Sequence, residues 1–129
     1  MNVGGPAVQI TGIETFLNPH RFEHVLVTGK CDSTEIDYLD SRKTDFDLIR
    51  VQGLGRRISI WQDIKAFLEL RKIIKDFNPD IVHTHTAKAG FLGRLACLTI
   101  AKPIRVVHTF HGHLLTGYFG KFMTSLVIR

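Results

Sequence analysis

The sequence predicts an α/β domain with a mostly parallel sheet, on three observations. Short apolar runs alternate along the chain with longer runs of helical period, which calls for parallel strands joined by right-handed helical crossovers. Glycine and proline punctuate the joins, at Gly4-Gly5-Pro6, Gly29, Asn78-Pro79 and Lys102-Pro103. The 129 residues are 44% hydrophobic and 22% charged, which suits one ordinary domain with its own core. Together these give a Rossmann-like three-layer domain over residues 1–129, without repeats, linkers or low-complexity tracts.

Gly4-Gly5-Pro6 reads as a turn, with Pro6 at a first helical position where its missing N–H is no loss. A helix over 7–17 follows and offers Val8, Ile10, Ile13 and Leu17 to the core. Residues 25–28 form a short buried strand that Gly29 ends, and 30–47 are a polar, acidic, irregular excursion. The next strand is 48–51. Ser59 and Gln62 have capping-box spacing, so a helix starts there. Ile64, Phe67, Leu68, Ile74 and Phe77 then recur at helical spacing. Asn78-Pro79 stops that helix, because the residue before proline is pushed out of the helical region. Residues 81–85 are a strand, and Thr86 or Ala87 opens a helix that ends near Lys102-Pro103. Residues 105–110 are a strand, 112–117 a loop, and a last helix runs from near Tyr118 to Arg129. A doubly wound sheet opens with a strand, whereas the first element here is the turn after one. The expectation is a partial domain, with its first strand ahead of Asn2 and more chain beyond Arg129.

The net charge of +5 is unevenly spread. Residues 1–47 hold 4 basic and 8 acidic side chains, whereas 48–129 hold 13 and 4. After Asp80 there is no carboxylate side chain, against six basic ones. That half suits an anionic ligand or surface; a solvated basic face is the plain alternative. No apolar run approaches the roughly 20 residues of a membrane span, and the start shows no charged leader or apolar h-region. Cys31 and Cys97 make no disulfide framework, so a reducing cytoplasm is the expected compartment.

In such folds ligands gather where the carboxyl ends of parallel strands meet helix N-termini, and three stretches fall there. Gly4-Gly5 is either a plain tight turn or a place where a ligand reaches backbone N–H groups at a helix start. In His83-Thr-His-Thr-Ala-Lys-Ala-Gly90, His83 and His85 are two apart on a strand and share a face. That spacing fits zinc only with a third protein ligand, and no carboxylate follows Asp80 to supply one. Thr86 and Lys88 at a helix N-terminus fit a phosphate cradle better. Against this, His83 reads as a satisfied core histidine and Lys88 as a solvated cation. The third stretch, Val107-His-Thr-Phe-His-Gly-His113, leaves a strand for a glycine-containing loop, with three histidines in six residues. His111 is the best placed to reach into a cleft.

Residues 1–9 ("MNVGGPAVQ"), 79–96 ("PDIVHTHTAKAGFLGRLA") and 106–119 ("VVHTFHGHLLTGYF") together resemble the N-terminal domain of retaining glycosyltransferases of family 4, which have the GT-B architecture. The resemblance covers nearly the whole chain. It implies the acceptor-side half of a GT-B fold, facing a second domain that holds most nucleotide-sugar contacts and is absent from these residues. It implies transfer of a sugar from an NDP-sugar to an acceptor with retention, in cell-surface polysaccharide or glycolipid synthesis, with the NDP-sugar as co-substrate and no further cofactor, no metal and no nucleic-acid partner. By the same resemblance Gly4 and Gly5 approach the donor phosphates and acceptor, and His111 contacts the transferred sugar as the catalytic residue. Lys88, Thr86, Arg56, Arg57 and His113 are the substrate-side candidates, the cations on the acceptor or membrane side. The basic half suits a lipid-diphosphate acceptor at the inner membrane face, with peripheral membrane contact. This chain alone is expected to be inactive. Two other readings remain at this level: a non-catalytic acceptor-binding subunit of a split enzyme, and a metal-dependent hydrolase built on the histidines.

Overall fold

The computed structural model of the protein describes residues 4–31, 37–40, 46–55 and 57–111. The elements run α1 (Gly5–Phe16), β1 (Val25–Gly29), β2 (Asp47–Val51), α2 (Ile60–Phe77), β3 (Ile81–His85), α3 (Ala87–Leu98) and β4 (Arg105–Thr109). The expected last helix, the 112–117 loop, Arg56 and His113 lie outside the described residues.

Among the described residues the strands pair in parallel, β1 with β2 and β3 with β4. Side-chain alternation sorts the strands into faces. On β1 and β2, Val27 and Val51 join one core with Ala66, Leu70 and Ile74 of α2 and Leu92, Ala96 and Cys97 of α3. Leu26 and Leu48 point the other way, into a second core with Ile10 of α1 and Leu39. Helices therefore cover both faces of β1–β2, which is the three-layer arrangement. The α/β class and its parallel strands are as the sequence implies, though the strands form two hydrogen-bonded pairs rather than one continuous sheet.

Several local expectations are corrected. α1 starts at Gly5, and its buried residues are Ala7, Ile10 and Thr11, while Val8 is exposed. Nearly every position of that helix is apolar or small, so periodicity does not select a face; docking on Leu26 and Leu39 does. Ser59 makes no side-chain cap, and its N–H donates to Asp63 Oδ2 (3.2 Å) rather than to Gln62. The buried face of α2 is Ala66, Leu70 and Ile74; Ile64 and Leu68 are exposed. Asn78 ends α2 in the left-handed conformation (φ 53°, ψ 50°), its N–H returning to Ile74 O, a common helix stop. α3 ends at Leu98, short of Lys102-Pro103, where Thr99 Oγ1 and the Thr99 and Ile100 N–H groups turn back to Ala96 and Cys97 carbonyls. Among the described residues no helix is long and apolar enough to cross a membrane. Cys31 and Cys97 are free thiols, and Cys97 is buried in the α2–α3 core.

Two glycines set how closely α3 lies on β3 and β4. A Cβ on Gly93 would stand 2.9 Å from Thr84 Cγ2, and one on Gly90 would stand 2.4 Å from His108 Cε1. Thr84 and His108 are register partners on the strands, and Thr84 Oγ1 bonds His108 Nδ1 at 2.9 Å. At Thr84 and His108 the even-numbered face of this pair is thus covered by α3, while Val106 on the same face stays exposed. The odd-numbered face, with His83, His85 and Thr109, points away from it.

Candidate functional site at the carboxyl ends of the strands

His83 and His85 follow from period-two geometry. They lie on one face of β3 with ring centroids 4.2 Å apart. His83 Nε2 meets Thr109 Oγ1 at 2.8 Å. β4 ends at Thr109, opposite His85 in the register, and His111, two residues on, returns to the same face. There His85 Nδ1 and His111 Nε2 lie 2.8 Å apart, with ring centroids at 5.1 Å. His111 is therefore partly buried at the carboxyl edge, in contact with His85.

Partial burial, and after it the neighbouring His83, His111 and His108, together push the His85 imidazole down to about 4. His83 is lowered by partial burial and then by His111. His108 is lowered by burial and then by the Arg94 guanidinium. These rings are neutral donors and acceptors at neutral pH. His108 is structural, held by Thr84 and edge-on to Phe110 at 4.3 Å. His83 bonds Thr109 on an exposed face, so it is no enclosed core histidine. Among the described residues no group of three or more His, Cys, Asp or Glu is placed to hold a metal ion.

Thr86 joins β3 to α3 with φ 65° and ψ 158°. That region is essentially reserved for glycine, and a β-branched residue there carries about 1–3 kcal/mol of strain. Such strain collects at ligand-facing joints. The sequence offers no sign of it. Thr86 gives no side-chain cap, and no acidic residue sits in the first turn of α3, so that turn favours an anion.

Lys88 is engaged within the chain. Its Nζ pairs with Asp63 Oδ1 at 2.5 Å and donates to Arg57 O at 2.6 Å. It ties the start of α3 to the start of α2. A ligand phosphate at Lys88 has to share it with Asp63, an acidic partner 25 residues earlier that the sequence does not announce. Gly4 and Gly5 open a different helix, which packs through Ile10 on Leu26 and Leu39. A Cβ on Gly5 would meet nothing within 4 Å, so open space adjoins that backbone. α1 also begins with no side-chain cap and no acidic first-turn residue. At the opposite end of β4, a groove of about 460 Å³ is lined by residues including Cys97, Ile100, Lys102, Pro103 and Ile104. It holds none of the histidines.

The sequence profile of Glycosyltransferase Family 4 matches residues 3–128. The chain belongs to Glycosyltransferase Family 4. It is 45% identical over 76 residues to a UDP-Gal:alpha-D-GlcNAc-diphosphoundecaprenol alpha-1,3-galactosyltransferase of Escherichia coli, covering 59% of this chain and 19% of that protein. It is 29% identical over 70 residues to the capsular polysaccharide biosynthesis glycosyltransferase CapM of Staphylococcus aureus, covering 54% of this chain and 18% of that protein. The matched region thus spans under a fifth of each of these curated relatives. No solved structure matches the chain.

Proposed function

We propose that this family 4 chain is the acceptor-side half of a retaining glycosyltransferase that moves a sugar from an NDP-sugar onto a lipid-diphosphate-linked acceptor in surface polysaccharide or glycolipid synthesis. The observation that carries the reading is His111 at the carboxyl edge of β4, held against His85 beside the strained, uncapped start of α3. In this reading His111 orients the transferred sugar. The N–H groups at the starts of α1 (Gly4, Gly5) and α3 (Thr86 onward) receive diphosphate oxygens, where fixed donors stabilise the leaving charge. Lys88 shares its charge between Asp63 and an incoming phosphate. Arg56, Arg57 and His113 complete the substrate side.

Support for a lipid acceptor comes from two directions. The relative from Escherichia coli is named for a diphosphoundecaprenol acceptor. At the start of α2, Ile58, Ile60 and Trp61 are 89%, 74% and 78% exposed, next to Arg57. Apolar and indole groups beside cations suit an anionic membrane surface on the cytoplasmic side. For the domain layout, β1 and β3 are not bonded to each other. In the doubly wound order 3-2-1-4-5, that gap belongs to a strand preceding α1.

The test is transfer by the enzyme comprising this half and its donor half, with a lipid-diphosphate-linked saccharide acceptor and a panel of NDP-sugars in excess EDTA. Transfer is expected to persist under EDTA, because N–H groups and cations hold the diphosphate. The product is expected to keep the anomeric configuration of the donor, read by proton NMR. Metal-reversible loss of activity, inversion, or no transfer from any NDP-sugar contradicts the proposal.

A further inference from the structure

We propose that His85 is a positioning residue for His111: it occupies Nε2 of His111 and leaves Nδ1 as the ring nitrogen that His111 offers to a ligand. The inference deepens the reading of His111 as the sugar-facing group and rests on it. The contact joins two ring nitrogens 2.8 Å apart, so one of them carries the proton and the other accepts it. His85 is itself well fixed. It is the last residue of β3, in register with Thr109, and its ring lies against His83 at 4.2 Å. His83 in turn bonds Thr109 Oγ1. His111 lies beyond the last ladder pair of the described residues, and its side-chain contact with His85 holds it there.

The titratable groups that act on His85 are His83 on β3, His108 on β4 and His111 beyond it, and all of them lower its affinity for a proton after partial burial does. His85 therefore stays neutral at neutral pH. When its Nδ1–H donates to His111 Nε2, neutral His111 carries its own proton on Nδ1 and donates from there to a sugar oxygen. When His111 is protonated, its Nε2–H goes to His85 Nδ1 and its Nδ1–H still faces the ligand. When neutral His111 keeps its proton on Nε2, Nδ1 accepts from a sugar hydroxyl. In each case Nε2 is spent on His85. The partner of a histidine nitrogen decides what the other nitrogen does, and His85 is that partner here.

The experiment is side-chain nitrogen NMR of the ¹⁵N-histidine-labelled chain at neutral pH, comparing wild type, His85→Ala and His85→Asn. An asparagine amide reaches about where Nδ1 of histidine lies, so it can renew the bond. In wild type the two His111 nitrogens are expected at separate, fixed positions. In His85→Ala they are expected to move toward a tautomer average, and His85→Asn is expected to restore separation. In the two-domain enzyme, His85→Ala is expected to lower kcat about 100-fold, the scale of a misplaced reacting group, with KM little changed and Asn restoring much of the loss. Unchanged His111 nitrogens in His85→Ala, or a change that Asn does not restore, overturn the proposal. If His85→Ala does not fold, the reciprocal measurement decides: His111→Ala is expected to release His85 Nδ1 from its fixed position, and an unmoved Nδ1 overturns the proposal. If the nitrogens respond as expected while His111→Ala leaves sugar transfer intact, the positioning stands and the proposed role of His111 falls.

Discussion

Replacing His111 with alanine is expected to lower kcat of the proposed two-domain enzyme by roughly 30- to 1000-fold, with a much smaller change in KM. His111 sits where β4 ends, in contact with His85. A group that orients a reacting sugar contributes most when charge develops at the transition state. Losing such a hydrogen bond costs about 2–4 kcal/mol, which is the quoted range of rates. The fold should survive, because His111 lies beyond the last ladder pair, His85 with Thr109. Steady-state kinetics with far-UV dichroism as a folding control checks this. Near-wild-type turnover in a folded variant removes His111 from the mechanism.

Gly53→Ala is expected to destabilise the protein by about 2–4 kcal/mol, lowering Tm by roughly 10 °C. Gly53 turns the chain between β2 and α2 with φ +82°, a region that costs an L-residue with a Cβ about 1–2 kcal/mol. The added Cβ would also stand 2.5 Å from the backbone oxygen of Gln62 and 3.0 Å from its carbonyl carbon. Gln62 is in the first turn of α2, so relief requires that turn to shift. Overpacking of this kind costs about 1–3 kcal/mol. The shift reaches the site, because Asp63, next in that turn, pairs with Lys88 of α3. Urea denaturation of wild type and variant checks it; a difference under about 0.5 kcal/mol, the usual range of a neutral surface change, contradicts this account of the turn.

Much of the fold was legible because its signals are local. Asn78-Pro79 marks the end of α2, and period two puts His83 and His85 on one face. The misses concern choices made in three dimensions. α1 is apolar or small at most positions, so its buried face depends on what it docks against. Capping-box spacing at Ser59 and Gln62 is real, yet Asp63 supplies the carboxylate. The His85–His111 contact joins residues 26 apart in sequence, and only the strand register brings them together. Lys88 reads as a free cation until α2 folds over and presents Asp63 and Arg57 O. Thr86 was legible as a helix start and illegible as a strained joint, because its own type argues against a positive φ.

In the proposed function, the carboxyl ends of these strands and the uncapped starts of α1 and α3 form the ligand face. Backbone ¹⁵N–¹H NMR of the chain titrated with a short-chain polyprenyl-diphosphate saccharide tests it most directly. The perturbed amides are expected to cluster at Gly4 and Gly5, at Ala87 and Lys88, and at His111. Perturbations confined to the groove around Lys102 and Ile104 at the other end of β4, or no perturbation at all at saturating ligand, would contradict it.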